Sequence, residues 1–450
     1  MIELLRPSAA ADPDRPAVVT HDSTITYGEL LQRAHQVAGW LVAHGVKRFA
    51  IHDVDAANVV ALLAGSSLAG SEACQYAPTD DATDVASGAE RFDHDLLISP
   101  DQFDVPGLRV VHPAELFGHP SADRDDVPKD RPLLILTTGT TGVPRGVRHD
   151  WNRLLRGTRR IAPTPEQRWL LAYGLHQFAG LQVLLHVFAA GATLVAPAPR
   201  RPREGLAAMR TLGVTHASAT PTYWRFLIAE LTADGGPAPV LEQITLGGEA
   251  IPAPLLPVLR EAFPSARISQ VYAASEFGSS GSIRDGRSGL STDVLDRDDD
   301  ADVAMKIVDG ELWVRSRTGM LGYYGEEPVD PDAWRPTGDL VEVVDDRIVF
   351  RGRSSEVINV GGIKVHPLPI EERIAAVPGV EMARVYGRPN ALTGAIVAVD
   401  VVRQPDAQAD EIEAAIRIAC QDLPAASRPR SIKFVDTVAM AGHKIVRSES

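Results

Sequence analysis

Short apolar runs alternate with helical stretches over much of this chain. Residues 133–136, 193–195 and 244–246 are apolar runs of strand length, and stretches with helical spacing separate them. Strands that alternate with helices pack as sheets covered by helices, because each element must bury one apolar face against another layer. The sequence therefore predicts an α/β fold with layered sheets.

Two helices are well marked near the N-terminus. Thr26 and Glu29 have the spacing of a capping box, and apolar residues then recur at helical spacing until Gly45. These apolar residues are Leu30, Ala34, Val37, Ala38 and Leu41. Residues 58–68 have a similar pattern, so a second helix is expected there.

The pattern changes at Gly310, after which strand-like segments dominate. Asp345-Asp346 separates two of these segments and predicts a hairpin turn. The strands are expected at 311–315, 340–344, 347–350, 383–386 and 396–402, with a helix at 410–421. We place a domain boundary at 353–356, which predicts a large α/β domain over residues 1–353 and a small α+β domain over residues 354–450.

Composition excludes several classes of protein. The 45 basic and 59 acidic residues give a net charge of −14, which argues against general nucleic-acid binding. The only cysteines, Cys74 and Cys420, form no CxxC pair, so neither a disulfide scaffold nor a thiolate metal site is expected. The acidic N-terminus does not resemble a signal peptide, and no apolar run reaches membrane-spanning length. We expect a cytoplasmic protein, with the acidic run 296–300 as a solvated loop.

The strongest local motif is a threonine- and glycine-rich loop after an apolar strand. It contains Thr137, Thr138, Gly139, Thr140, Thr141, Gly142 and Arg145. Glycines let backbone N–H groups turn toward an anion, while threonine hydroxyls and an arginine add donors and positive charge. The loop is not a Walker motif, because no GK[ST] follows the glycines. A polyphosphate site is the favoured interpretation, and a flexible surface turn is the alternative.

Other segments are weaker when taken singly. Gly247-Gly248-Glu249-Ala250 follows a strand and could approach a flat base, Glu276 could hold Mg²⁺ beside phosphates, and Asp339 could face ribose hydroxyls. Gly361-Gly362 suggests close backbone approach or a bulge. An ordinary turn explains the Gly247 segment equally well, and for Glu276 and Asp339 taken alone an exposed charge or a turn residue is the favoured explanation.

Their order and spacing resemble the adenylate-forming superfamily, which includes acyl-CoA synthetases, adenylation domains and luciferases. The resemblance covers nearly the whole chain. Beyond the segments above, it rests on Arg15-Pro16-Ala17, Thr26-Tyr27, Pro221-Thr222, Gly310-Glu311-Leu312-Trp313-Val314-Arg315, Gly322-Tyr323, Gly352-Arg353 and Lys444-Ile445-Val446-Arg447.

The resemblance implies a role for each matching residue. The loop from Thr137 to Gly142, with Arg145, would hold the β- and γ-phosphates of ATP. Gly247, Gly248 and Glu249 would line the adenine, on which Tyr272 would stack, while Asp339 and Arg353 would hold the ribose. Ser275 would contact the α-phosphate, and Glu276 would bind Mg²⁺. His176, Gly247 and Ala273 would line the acid pocket, although a packed histidine is an equal alternative for His176.

The same resemblance implies a catalytic lysine on a small, mobile C-terminal domain. Lys444 would bridge the carboxylate and the α-phosphate during adenylation. The domain would then rotate about a hinge at Ser355, and Gly361-Gly362 would face the thiol of CoA.

Several positions depart from the family pattern. Arg145 and Ser275 replace a usual lysine and threonine, and Ser355 replaces the Asp or Lys of the pivot. Ala273 and His443 each replace a glycine, and Pro369 falls where an acidic residue is common. The chain is also short, like the o-succinylbenzoate-CoA ligases, which it further resembles at 215–218.

The sequence thus predicts an AMP-forming acid–thiol ligase that uses ATP, Mg²⁺ and CoA on a small aryl or short acyl acid. Three alternatives stay open at this point. The chain could load a carrier protein instead of CoA, or activate another acid such as nitrite for diazotisation. It could also be an inactive homologue that only binds nucleotide, although retention of Glu276, Asp339 and Lys444 argues against this.

Overall fold

The computed structural model describes residues 1–122, 126–138, 144–298, 300–404, 407–441, 444–445 and 447. The helices are α1 (Ile2–Ala11), α2 (Tyr27–Ala43), α3 (Ala56–Ala69), α4 (Ala82–Arg91), α5 (Pro113–Phe117), α6 (Trp151–Arg156), α7 (Phe178–Ala189), α8 (Pro202–Thr211), α9 (Pro221–Asp234), α10 (Leu255–Ala262), α11 (Pro367–Ala375) and α12 (Ala409–Ala419).

The first strands belong to the α/β part of the chain: β1 (Pro16–Val19), β2 (Thr24–Thr26), β3 (Arg48–Ile51), β4 (Glu72–Gln75), β5 (Leu96–Ile98), β6 (Arg109–Val111), β7 (Pro132–Thr138), β8 (Pro144–Asp150), β9 (Arg168–Leu171), β10 (Thr193–Val195), β11 (His216–Ala219), β12 (Gln243–Gly247), β13 (Arg267–Ala274) and β14 (Gly278–Ile283). Those that follow are β15 (Leu290–Ser291), β16 (Val303–Val308), β17 (Glu311–Ser316), β18 (Gly322–Tyr323), β19 (Arg335–Val344), β20 (Arg347–Arg353), β21 (Ile358–Val360), β22 (Ile363–Val365), β23 (Val380–Asn390), β24 (Gly394–Arg403), β25 (Ser431–Phe434), β26 (Met440–Ala441) and β27 (Lys444–Ile445).

Two large sheets form the α/β part. One has the strand order β14-β13-β12-β11-β9-β10-β1-β2 and the other β18-β8-β7-β4-β3-β5-β6. Their inner strands are parallel, and antiparallel strands lie at an edge of each. Parallel strands need crossover connections, which the intervening helices supply. The predicted α/β class with layered sheets is confirmed.

Helices between the two large sheets bury one shared core. Val37 of α2, Leu62 of α3 and Leu184 of α7 belong to the same apolar cluster as Phe49 of one sheet and Leu194 of the other. Helix α2 begins as the sequence predicted, because Thr26 accepts a hydrogen bond from Glu29 N–H, whose carboxylate accepts one from Thr26 N–H.

Two antiparallel sheets follow in the chain. The order of the first is β15-β20-β19-β17-β16, and its β19–β20 hairpin turns at Asp345, which has a positive φ of 53°. The second contains β22-β21-β24-β23 with β25 beside β24, and it packs against α11 and α12. The short 3₁₀ turn Ser354–Glu356 lies between these two sheets in the chain. The division into domains at 353–354 stays a prediction.

No helix among the described residues is long and apolar enough to cross a membrane. Of the acidic run 296–300, residue 299 lies outside the described residues, and the described remainder forms no regular helix or strand.

Close contact between α2 and α3 depends on Gly65. A Cβ atom at this position would lie 2.5 Å from Val37 Cγ1 and 2.7 Å from the carbonyl oxygen of Ala34. We expect Gly65→Ala to lower the free energy of unfolding by about 1–3 kcal/mol, because a packed core resists added volume. Urea unfolding measures the change. The same substitution at Gly118, where the nearest atom is 3.6 Å away, serves as the control; equal losses at both positions would contradict this account.

Candidate active site

Eight of the predicted site residues lie at or just after the carboxyl ends of parallel strands in the first large sheet. Gly247 ends β12, and the segment from Tyr272 to Glu276 includes the end of β13 and the residues just after it. Thr222 follows β11 on the same edge. Loops at the carboxyl edge of a parallel sheet converge, which is why ligand sites form there in open α/β folds.

A hydrogen-bonded group joins Tyr272, Asp339 and Arg353. The Tyr272 hydroxyl donates to Asp339 Oδ2 over 2.6 Å, and Arg353 Nε donates to Asp339 Oδ1 over 3.0 Å. The Asp339 side chain is only 13% exposed. Tyr272 also stacks on Phe350 at 5.3 Å between ring centroids. The structure thus brings together the residues predicted for the nucleoside, which lie far apart in sequence.

Charge and burial shift the pKa values of residues in this group. The carboxylate of Asp339 raises the pKa of Arg353, against the opposing effect of burial. Burial, followed by the negative charge of Asp339, raises the pKa of Tyr272. The phenol therefore stays protonated at neutral pH and remains a hydrogen-bond donor to Asp339.

A second group links Glu276 to Arg145 through Tyr323. The Tyr323 hydroxyl donates to Glu276 Oε1 over 3.1 Å, and the Arg145 guanidinium lies 3.4 Å from the centroid of the Tyr323 ring. Arg145 Nη2 also lies 2.7 Å from Glu326 Oε1. Burial, with a smaller contribution from Glu276, raises the pKa of Tyr323 to about 12. A planar guanidinium stacks on an aromatic face better than an ammonium does, which gives the arginine at 145 a structural reason.

The residues present fit a magnesium ion that is bound together with phosphates. No group of three or more His, Cys, Asp or Glu side chains suited to a metal occurs among the described residues. Mg²⁺ commonly uses one or two carboxylates and completes its shell with water and substrate phosphates. Glu276 can provide one such carboxylate, and its role as the metal ligand stays a prediction.

The phosphate loop is only partly described. Thr137 pairs with Arg145 between β7 and β8, and Thr138 ends β7. The side chain of Thr138 and residues Gly139, Thr140, Thr141 and Gly142 lie outside the described residues. The strand that precedes the loop, and the position of Arg145 directly after it, agree with the predicted arrangement.

Gly247 and Glu249 accept hydrogen bonds from residues that follow β9 and β11 in the chain. Tyr173 donates its hydroxyl to the carbonyl oxygen of Gly247 over 3.3 Å. The backbone N–H and hydroxyl of Thr222 donate to Glu249 Oε2 over 3.1 and 2.7 Å. These bonds hold the segment at the sheet edge, and contact with adenine stays a prediction.

His176 lies on the same edge, after β9. A Cβ atom at Gly174 would lie 2.4 Å from Cε1 of His176, so the His176 ring packs directly against this glycine. Burial, and then the nearby Arg200, lowers the pKa of His176 to about 4, so that it is neutral at pH 7. Ala273 pairs with Ser279 beside it in the sheet. Their predicted contact with the acid is untested.

His149 is a fully buried residue behind this site. Its ring stacks on Phe178 at 5.2 Å, and burial lowers its pKa to about 3, although the nearby backbone of Ser275 opposes the shift. The His149 imidazole is therefore protonated below about pH 6.5 in the unfolded state, whereas it stays neutral in the folded state.

We expect His149→Phe to reduce the sensitivity of the fold to acid. Stability from neutral His149 is complete above its ordinary pKa and falls by about 1.4 kcal/mol per pH unit between roughly pH 6 and 4. Urea unfolding at several pH values should show a slope smaller by this amount in the variant. The matched substitution at exposed His21 should leave the slope unchanged. An unaltered slope in His149→Phe would show that another group controls acid unfolding.

The thiol-side, hinge and lysine predictions fall in the last part of the chain. Gly361 and Gly362 form the turn of the β21–β22 hairpin with φ of 58° and 88°, which favours glycine at both positions. Ser355 lies in the 3₁₀ turn Ser354–Glu356. Lys444 lies in β27, paired with Ala441, and its side chain is outside the described residues.

Sequence reasoning did not assign a role to Tyr323, Tyr173 or Thr222, although each contacts a predicted site residue. Tyr323 and Thr222 stand within motifs used for the resemblance, which marked the segments but not the contacts. Only the folded chain shows that Tyr323 reaches Glu276, because the two are 47 residues apart.

Fold and site together define an ATP-using, adenylate-forming enzyme. The profile of the AMP-binding enzyme family matches residues 5–324, and that of the AMP-binding enzyme C-terminal domain matches residues 369–443. The chain belongs to the AMP-binding enzyme family. The predicted class, an AMP-forming acid–thiol ligase, is confirmed by this family and by the relatives below.

The similar proteins include one named as a CoA ligase and one named as CoA ligase-like. A 2-succinylbenzoate–CoA ligase of Bacillus subtilis is 24% identical over 415 residues, covering 84% of this chain and 83% of the relative. A 4-coumarate–CoA ligase-like protein of Oryza sativa is 26% identical, covering 73% and 64%.

Solved structures share the fold. An anthranilate CoA ligase in complex with anthranoyl-AMP superimposes with a TM-score of 0.86 at 20% identity, covering 99% of this chain and 95% of the other. The Bacillus subtilis o-succinylbenzoate CoA synthetase with its acyl-adenylate gives a TM-score of 0.80 at 22% identity, covering 99% and 96%.

Proposed function

We propose that this enzyme activates a small aromatic carboxylic acid with ATP and transfers the acyl group to CoA. The carboxylate attacks the α-phosphorus of ATP and expels pyrophosphate, and the thiol then displaces AMP from the acyl-adenylate. In the first step Lys444, Arg145 and the loop donors stabilise the charge on phosphate oxygens. Glu276 would hold Mg²⁺, which would supply further positive charge there. Residues 1–353 act as the ATP- and acid-binding domain, and residues 354–450 carry Lys444.

One observation carries the proposal: a short segment, from Tyr272 to Glu276, belongs to two separate hydrogen-bonded groups. Tyr272 at one end contacts Asp339, and Glu276 at the other end contacts Tyr323 beneath Arg145. A carboxylate suited to sugar hydroxyls and a cation suited to phosphates thus flank one segment. Ser275 stands between them. A nucleoside triphosphate requires this arrangement, with a carboxylate at its sugar and a cation at its phosphates.

The acid class rests on the relatives and on the residues around His176. Both named relatives and the neighbour with anthranoyl-AMP are named for aromatic acids. Arg200, whose charge acts on His176, has a buried Nε with no hydrogen-bond partner among the described residues. A buried donor without a partner is costly, so it favours an acid with a second polar or anionic group.

A panel assay tests the function. The purified protein is incubated with ATP, Mg²⁺, CoA and aromatic acids with one or two carboxyl groups, and AMP and new thioesters are followed by mass spectrometry. AMP together with an aryl-CoA thioester is the expected result. AMP without a thioester would favour one of the remaining alternatives, which are transfer to a carrier protein and nitrite as the acid. ATP binding without AMP from any acid would overturn the proposal.

A further inference from the structure

Arg447, near the C-terminus, is held by two carboxylates. Its Nε donates to Glu371 Oε2 over 3.0 Å and its Nη2 donates to Glu371 Oε1 over 2.7 Å, which is a two-pronged ion pair. Its Nη1 lies 3.5 Å from Glu356 Oε1. The exposed fractions are small, at 18% for Arg447, 22% for Glu356 and 8% for Glu371.

The two carboxylates belong to different elements. Glu371 lies on α11 and also accepts a hydrogen bond from the backbone N–H of Val385 on β23, so its position is well determined. Glu356 ends the 3₁₀ turn Ser354–Glu356, which contains the predicted hinge. Arg447 therefore joins the hinge turn to the body of the small sheet and its helix.

Arg447 also stands near the large sheets. Burial lowers the pKa of Arg447, but the carboxylates of Glu371, then Glu356 and then Glu249 outweigh it and raise the pKa, and Glu249 belongs to the segment predicted to line the adenine. From α9, Arg225 faces Glu249, Glu371 and Glu372, and burial lowers its pKa despite them. Charged side chains of the α/β part and of the C-terminal part therefore both act electrostatically around Arg447.

Lys444 is three residues before Arg447, on the short hairpin of β26 and β27. A short two-stranded hairpin is marginally stable by itself. Its place therefore depends on contacts to the rest of the fold, of which the Arg447 ion pair is the strongest described.

We propose that Arg447 is a positioning residue that fastens the segment carrying Lys444 to the hinge turn through Glu356 and to α11 through Glu371. The lysine and the hinge then move as one unit, and the lysine is held in register for adenylate formation. This inference rests on the proposed function, in which Lys444 serves the first half-reaction. Arg447 itself need not touch ATP or the acid.

Hydrogen exchange tests the fastening without reference to any substrate. Backbone exchange of the C-terminal peptide is measured by mass spectrometry in the full chain, in wild type and in Arg447→Met. We expect exchange of residues 440–447 to rise at least roughly tenfold, because loss of a buried ion-pair partner is strongly destabilising. The control, Arg417→Met, removes the exposed ion pair with Glu413 on α12 and should leave this peptide unchanged. Equal exchange in wild type and Arg447→Met would overturn the inference.

The two half-reactions test the positioning role. With 2-succinylbenzoate as the probe acid, exchange of pyrophosphate into ATP reports adenylation. Synthetic succinylbenzoyl-adenylate with CoA reports thiol transfer. We expect Arg447→Met to lower the kcat of adenylation by about a hundredfold with little change in KM for ATP, because a small misplacement of a catalytic group costs that much. Thiol transfer should change by less than about threefold.

Two further variants separate positioning from general loss of folding. Glu371→Gln keeps the shape of the side chain but removes its charge, and it should reproduce most of the adenylation defect. Glu356→Gln tests the contact with the hinge turn without disturbing α11. Equal losses in both half-reactions would indicate a merely structural role and overturn the inference. If wild type shows no exchange with 2-succinylbenzoate, this probe is not a substrate of the enzyme. The hydrogen-exchange comparison with Arg417→Met then decides on the fastening alone.

Discussion

Lys444→Ala is expected to lower adenylate formation by about a hundredfold to a thousandfold, the range seen when one donor to a developing oxyanion is removed. The attack on the α-phosphorus places negative charge on phosphate oxygens, and a lysine cation stabilises that charge only as the transition state forms. The expected loss is therefore in kcat, with a small change in KM for ATP. Exchange of pyrophosphate into ATP measures it.

Thiol transfer provides the internal comparison for this variant. Starting from a synthetic acyl-adenylate, Lys444→Ala should form the thioester at nearly the wild-type rate, since the second step expels AMP and no pyrophosphate. Lys433→Ala, an exposed lysine on β25 of the small sheet, is the matched control and should leave both steps unchanged. Full adenylation activity in Lys444→Ala would remove the lysine from the proposed mechanism.

Asp339→Ala is expected to raise KM for ATP at least roughly 30-fold, because it removes a largely buried carboxylate that accepts hydrogen bonds from a tyrosine and an arginine. Asp339 accepts hydrogen bonds from both Tyr272 and Arg353, so its loss also frees two side chains in the site. Tyr272 and Arg353 would then form other hydrogen bonds and change the shape of the region predicted to hold the ribose. Binding of ATP by calorimetry and the KM in the full reaction check this result.

Graded variants distinguish lost contacts from lost folding at Asp339. Tyr272→Phe keeps the ring and removes one hydrogen bond to a charged group, so an effect of about tenfold is expected. Asp345→Asn serves as the control, because asparagine also tolerates the positive φ of this exposed hairpin turn. Unchanged ATP binding in Asp339→Ala would show that the carboxylate is not part of the nucleotide site.

Local features of the fold were readable from the sequence. The capping box at Thr26 and Glu29 starts α2 as predicted, and the hairpin at Asp345 forms between the expected strands. The predicted strands at 133–136, 193–195 and 244–246 all lie within observed strands. Caps, turns and apolar periodicity act over a few residues, so they need no knowledge of the rest of the chain.

The candidate site was predictable only as a set of separate segments. Order and spacing of motifs predicted Tyr272, Glu276, Asp339 and Lys444 as site residues, and they carried the resemblance to the family that the family model matches. The contacts among these residues were not predictable, since Tyr272 meets Asp339 across 67 residues and Tyr323 meets Glu276 across 47. No spacing rule connects residues at such separations.

The sequence alone determined the class of fold and the positions of several helices and strands, and it predicted the residues that belong to the chemistry. Tertiary structure alone decided which strands are neighbours, why an arginine at 145 lies against Tyr323, and that Arg447 joins the hinge turn to α11. The physical reason is the range of the forces involved. Hydrogen bonds of caps and turns are made within one element, whereas buried charge pairs and sheet order depend on which apolar faces pack together.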